Sequence, residues 1–161
     1  MFAPNIDNDE IVKLPRLSFE GDAFVISTEN ELRDKIKLFS TSSILGFDTE
    51  SKPSFKKGRN NGIALVQLSD QKTALIIRVK EVGLPNELVA ILENEKIVKV
   101  GAAIRDDLKG LKSIRNFNPK GFVDLQQIAG KYNIEGQSVR KLAAIVLGVR
   151  VSKSQQLSNW E

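Results

Sequence analysis

Asp48 and Glu50 stand two residues apart in the run Ile44–Ser51, ILGFDTES. The run opens like a buried strand. Side chains alternate along a strand, so both carboxylates point to the same face. Two ionised carboxylates are costly to desolvate without a partner. Their oxygens suit a hard divalent cation, Mg²⁺ or Mn²⁺. Two carboxylates do not complete such a site, because magnesium keeps waters and borrows phosphate oxygens; a third acid and a phosphate would finish it. The plainer reading is that strands often end in acids that are solvated or paired with a base.

A second acidic pair, Asp106 and Asp107, lies in VKVGAAIRDDLKGL, residues 98–111. A strand ends there at Gly101, and a helix follows. Ile104, Leu108 and Leu111 form its apolar stripe. Asp107 borders that stripe, whereas Asp106 points further round and is expected to be more solvated. Acids in the first turn also complement the helix dipole, which gives both a structural reason to be there.

Composition removes other chemistries. The 161 residues include no Cys and no His. Thiolate catalysis, disulfides, cysteine-ligated zinc, histidine bases and Ser-His-Asp triads are therefore excluded. Hydrolysis would have to rest on carboxylates, with or without a metal held by oxygen. The net charge is +4, from 24 basic and 20 acidic residues. This mild excess is compatible with a polyanionic partner such as nucleic acid. No apolar run reaches the ~18 residues needed to span a bilayer. The N-terminus, MFAPNIDNDE, has no apolar signal core. The expectation is a cytoplasmic protein, or a nuclear one in a eukaryotic cell, with no membrane partner and no small-molecule cofactor.

The elements that must position these acids are legible by pattern. The length and a hydrophobic content of 41% suit one domain. Residues 1–22 read as an N-terminal arm laid over a domain of residues 23–161. AFVIS, 23–27, reads as a strand. Thr28 and Glu31 form a capping box for a helix through Phe39. Three strands follow, at 44–51, 62–69 and 73–79, the last two close enough for a hairpin. Pro85 starts a helix over 85–94. KIVKVG, 96–101, is a strand, followed by a helix over 104–113. GFVDL, 121–125, is a short strand whose Asp124 caps a helix through Tyr132. Ser138 caps a last helix ending at Gly148. This order predicts an α/β fold with a mixed sheet: three consecutive, largely antiparallel strands, then parallel ones, with helices packed on both faces.

GFDTE, then GIALVQLS, VGAAIRDDLKGL, SVRKLAAIVLG and LSNWE, together resemble the 3′→5′ exonuclease family of ribonuclease D and the Werner-syndrome exonuclease domain. The resemblance runs from Ala23 to Glu161 and implies an RNase-H-like fold. It implies hydrolysis at the 3′ end of DNA or RNA, with release of nucleoside monophosphates by a two-metal mechanism. Asp48 and Glu50 match the family's first motif. Asp107 matches the second by its spacing from Val100-Gly101, at a position Asp106 does not share. By this resemblance Asp48 bridges two Mg²⁺ or Mn²⁺ ions, Glu50 binds the ion carrying the attacking water, and Asp107 holds the other ion largely through a water. The family's last motif, Tyr-x-x-x-Asp on a C-terminal helix, has no counterpart: Tyr132 is the only tyrosine, and Gly136 follows four residues later. The expectation is a domain lacking that helix, with one ion or none bound and very low turnover.

The implied partner is a nucleic acid with a free 3′ end. Lys56, Lys57 and Arg59, in the loop after the first acidic strand, could contact phosphates, and Phe55 could stack on a base. Thr49 and Ser51 flank the acids and could shape a terminal-nucleotide pocket. Arg105 and Lys109 flank Asp107 and could touch a strand backbone, or could simply balance neighbouring acids. Two rival readings remain: a degenerate exonuclease fold that binds nucleic acid without cutting it, and an interaction module for which the fold is only a scaffold.

Overall fold

In the computed structural model, which describes residues 1–51 and 62–152, six strands form one sheet in the order β1-β4-β3-β2-β5-β6. The strands are β1 (Asp22–Ile26), β2 (Ile44–Ser51), β3 (Ile63–Ser69), β4 (Thr73–Arg78), β5 (Val98–Gly101) and β6 (Phe122–Asp124). β2, β3 and β4 run antiparallel to one another, β1 joins β4 in parallel, and β5 and β6 extend the other side in parallel. This is the mixed sheet that the order of elements predicts, in the RNase-H-like form that the resemblance implies.

Strand alternation divides the sheet into two faces. On one, Leu45 and Phe47 of β2, Val66 and Leu68 of β3, and Leu75 and Ile77 of β4 are all buried. They form the main core with Leu32, Leu88, Leu92 and Leu111 from helices. On the other face of β2, Ile44 is 61% exposed and Gly46 is half-buried before Asp48 is reached.

The helices are α1 (Asn8–Ile11), α2 (Glu29–Lys35), α3 (Val79–Val82), α4 (Asn86–Leu92), α5 (Arg105–Ile114), α6 (Leu125–Lys131) and α7 (Val139–Leu142). Thr28 closes the expected capping box at α2: its hydroxyl accepts from Glu31 N, and the Glu31 carboxylate accepts from Thr28 N at 3.0 Å. α2 tightens into a 3₁₀ turn over Ile36–Phe39, which buries Phe39. Ser138 caps α7, which widens into a π turn over Ala143–Leu147 and stops at Gly148, in the left-handed conformation. α3 is not legible in the sequence pattern, because it is a single turn running straight out of β4.

The N-terminal residues are tied down at several points. Ile11 is fully buried. Pro4 O accepts from Glu135 N at 2.7 Å, and Leu17 N donates to Arg150 O at 2.9 Å. No helix among the described residues is long and apolar enough to cross a membrane.

Candidate active site

The acids of β2 sit where the strand outruns its parallel neighbour. β2 pairs with β5 only over Ile44–Gly46, opposite Val98–Val100. Beyond Gly46 it continues to Ser51 with β3 alone beside it, Asp48 opposite Gln67 and Glu50 opposite Leu65. The register slips between Glu50 and Ser51. Such irregularities re-aim side chains at the end of a ladder.

β5 ends at Gly101, where the chain passes hard against β2. A Cβ there would lie 2.6 Å from Phe47 O and 2.5 Å from Ile104 Cγ2, so only glycine fits. The next residues turn at once into α5, with Ala103 at φ +57°. This brings Asp107, in the first turn of α5, onto the free stretch of β2. The Thr49 hydroxyl donates to Asp107 Oδ1 at 2.5 Å.

The expected division between the two helical acids holds: Asp107 is half-buried and Asp106 exposed. Asp124 caps α6 as expected, accepting from Gln126 N at 2.9 Å. It also accepts from Ala103 N at 3.1 Å and Ile104 N at 3.2 Å, which local pattern does not reveal.

All three acids have carboxyl groups raised above the ordinary range. Although Asp48 as a residue is exposed, loss of hydration at its carboxyl group is the largest cause raising its pKa; the Thr49 backbone N–H opposes this and Asp107 adds to it. Glu50 is raised by burial, then by Asp48 and Asp107. Asp107 is raised by burial, against the pull of the Thr49 hydroxyl, and further by Asp106 and Asp124. Among the described residues, no Lys or Arg forms an ion pair with any of the three.

The three carboxylates sense one another, yet among the described residues no three acids close into a ready-made metal cage. The alternation of β2 supplies a reason. Asp48 and Glu50 share one face, whereas the residue meeting Asp107 is Thr49, which alternation turns to the opposite face. A hydroxyl donor is a cheaper neighbour for a carboxylate than a third like charge. An all-oxygen, net-negative donor set of this kind still fits a divalent cation, which would offset the burial and like-charge repulsion that raise these groups.

A cleft of about 620 Å³ opens beside this point, lined among others by Thr49, Ser51, Ile63, Asp107, Gly110 and Ser113. Thr49 and Ser51 border this cleft. Arg105 and Lys109 are exposed on α5. Phe55, Lys56, Lys57 and Arg59 lie outside the described residues.

Residues 23–161 match the family described as 3′-5′ exonuclease. Over 159 residues the chain is 31% identical to the bifunctional 3′-5′ exonuclease/ATP-dependent helicase WRN of Mus musculus, covering 91% of this chain and 11% of that protein. The solved structure of Escherichia coli RNase D, an exoribonuclease involved in structured RNA processing, superposes with a TM-score of 0.75 at 21% identity, over 86% of this chain and 37% of that one. An EXD2 exonuclease domain soaked in Mn superposes with a TM-score of 0.62 at 24% identity, over 80% of this chain and 71% of that one. The chain belongs to the 3′-5′ exonuclease family of ribonuclease D and WRN. It spans about a tenth of the length of the WRN relative.

Proposed function

We propose that this chain carries a divalent-metal-dependent 3′→5′ exonuclease site, with Asp48, Glu50 and Asp107 as metal ligands and the 3′ end of DNA or RNA as substrate. The observation that carries this reading is geometric: α5 brings Asp107 to Thr49, between Asp48 and Glu50 on the stretch of β2 that outruns β5, and among the described residues no Lys or Arg pairs with the three acids. Membership of a metal-dependent family, with an EXD2 domain soaked in Mn, supports it.

Hydrolysis requires a water oxygen to attack phosphorus while the bond from phosphorus to the 3′ oxygen breaks and that oxygen takes up a proton. A bound Mg²⁺ or Mn²⁺ would supply an activated water and stabilise charge on the phosphate and the leaving oxygen. The chain's own residues do the rest. Asp48 and Glu50, two apart on β2, present carboxylate oxygens from one face. Thr49 holds the Asp107 carboxylate by its hydroxyl and so fixes its approach to β2. The adjoining cleft, floored by Thr49 and Ser51 and walled by α5, is where a terminal nucleotide would rest.

The test is a 5′-labelled oligonucleotide incubated with the chain and Mn²⁺. Stepwise shortening from the 3′ end, abolished by chelation and by Asp48→Ala, supports the reading. Shortening indifferent to Asp48 overturns it. Binding without shortening favours the non-catalytic nucleic-acid-binding module instead.

A further inference from the structure

Asp107 reaches β2 only because α5 begins where it does, and α5 does not fix its own beginning. Its N-terminal flanking residue is Ile104, an apolar side chain that makes no capping hydrogen bond. The first N–H groups of a helix lack partners within it and need an outside acceptor. The preceding turn is also unfavourable for its sequence: Ala103 sits at φ +57°, a region that costs any residue with a Cβ. Something must hold the turn in place.

The carboxylate of Asp124 does so from the end of β6. One oxygen accepts from Ala103 N at 3.1 Å and the other from Ile104 N at 3.2 Å. The first oxygen also accepts from Gln126 N at 2.9 Å, capping α6. A single side chain therefore ties together the starts of two helices. Its negative charge lies at both N-termini, where helix dipoles favour it. The register supports the same join, because Gly101 pairs directly with Asp124 across the parallel ladder.

We propose that Asp124 is a positioning residue for the active site: by holding the Ala103–Ile104 turn it sets where α5 starts and so places Asp107 against Thr49. In this role its oxygens engage the backbone N–H groups at the two helix starts. The inference rests on the reading of Asp48, Glu50 and Asp107 as metal ligands.

The experiment is a Mn²⁺ titration of the whole chain, following free Mn²⁺ by electron paramagnetic resonance, with thermal unfolding measured alongside. Asp124→Asn keeps the shape and one acceptor but turns a donor toward Ile104 N. It is expected to weaken Mn²⁺ binding about 10-fold, the scale seen when residues that orient ligands are altered. Adding Ala103→Gly, which removes the steric cost of the left-handed turn, is expected to recover much of that loss. Ala103→Val leaves the carboxylate intact but strains the turn, and is expected to weaken binding as Asp124→Asn does. This variant decides the matter even where Asp124→Asn fails to fold. Unchanged Mn²⁺ affinity in folded Asp124→Asn or in Ala103→Val overturns the proposal. Failure of the unsubstituted chain to bind Mn²⁺ at all, or binding indifferent to Asp48→Ala, overturns instead the metal-site reading on which it rests.

Discussion

The Thr49 hydroxyl on β2 and the Asp107 carboxylate on α5 meet at 2.5 Å, across a separation of 58 positions in the chain. The contact joins the two halves of the site. It supplies a neutral donor where the neighbouring groups, Asp48, Glu50, Asp106 and Asp124, are all acidic. It also opposes the burial and repulsion that raise the pKa of Asp107. A hydrogen bond to the charged form of a carboxylate favours ionisation.

Thr49→Val keeps the β-branched shape and removes the donor. The Asp107 carboxyl then titrates higher, so the acidic limb of the pH–activity profile moves to higher pH. Metal affinity falls by roughly 10- to 100-fold. Thr49→Ser, which keeps the hydroxyl, stays close to the parent. Activity profiles of the three proteins across pH, at saturating and limiting Mn²⁺, check this.

Glu50 is half-buried beside two other acids, and every cause acting on its carboxyl raises the pKa. A carboxyl raised in the folded state keeps its proton where the unfolded chain has lost it, so folding loses stability as pH rises through that window. The penalty persists at neutral pH. Glu50→Gln removes it. The expected result is a rise in Tm on the order of 1–3 °C at pH 7 without metal, shrinking below the ordinary glutamate range. Melting curves at pH 4 and pH 7 for both proteins measure the difference.

Lys99, on β5, is fully buried. Its ammonium donates to Asn94 O at 2.6 Å and Ile97 O at 2.7 Å, and lies 5.1 Å from the Phe122 ring centroid. It thereby satisfies carbonyls in the turn between α4 and β5. Lys99→Met fills similar space but withdraws the donors, and is expected to cost about 1–3 kcal/mol. Burial pushes the Lys99 pKa down to about 8. A base lowered on folding binds a proton more weakly than in the unfolded chain, so its contribution to stability grows as pH rises from about 8 toward the usual lysine value. The gap between parent and Lys99→Met in thermal melts is expected to widen over that range. A gap that narrows contradicts the assignment.

At Gly101 the end of β5 lies hard against the backbone of the acidic strand. In Gly101→Ala the added methyl would meet the Phe47 carbonyl at 2.6 Å, a backbone atom that cannot swing aside. Overpacking of this kind costs typically ~1–3 kcal/mol. Here it also pushes the start of α5 away from β2. Loss of Tm and loss of Mn²⁺ affinity are therefore expected together, and calorimetry with a Mn²⁺ titration on the same sample tests the coupling.

Local pattern carries far into this structure and then stops for a physical reason. The alternation in ILGFDTES predicts β2 over Ile44–Ser51, and the structure has it there. The capping box at Thr28, the cap at Asp124 and the left-handed stop at Gly148 are chemistry of neighbouring residues, and all are present. Helical spacing separates half-buried Asp107 from exposed Asp106. What escapes is long-range. Nothing around Thr49 announces Asp107. Asp124 reads as a cap for its own helix, whereas its bonds to Ala103 and Ile104 cross about 20 positions of chain. The burial of Lys99 depends on carbonyls freed by a turn that only the packed sheet creates.

Anomalous scattering from crystals soaked in Mn²⁺ reports directly on whether the three acids hold metal. A peak is expected within coordinating distance of Asp48 and Glu50 carboxylate oxygens, with Asp107 turned toward it directly or through a water, and no such peak in Asp48→Ala crystals. A chain that takes up Mn²⁺ elsewhere, leaving these three acids uncoordinated at saturating metal, contradicts their assignment as metal ligands.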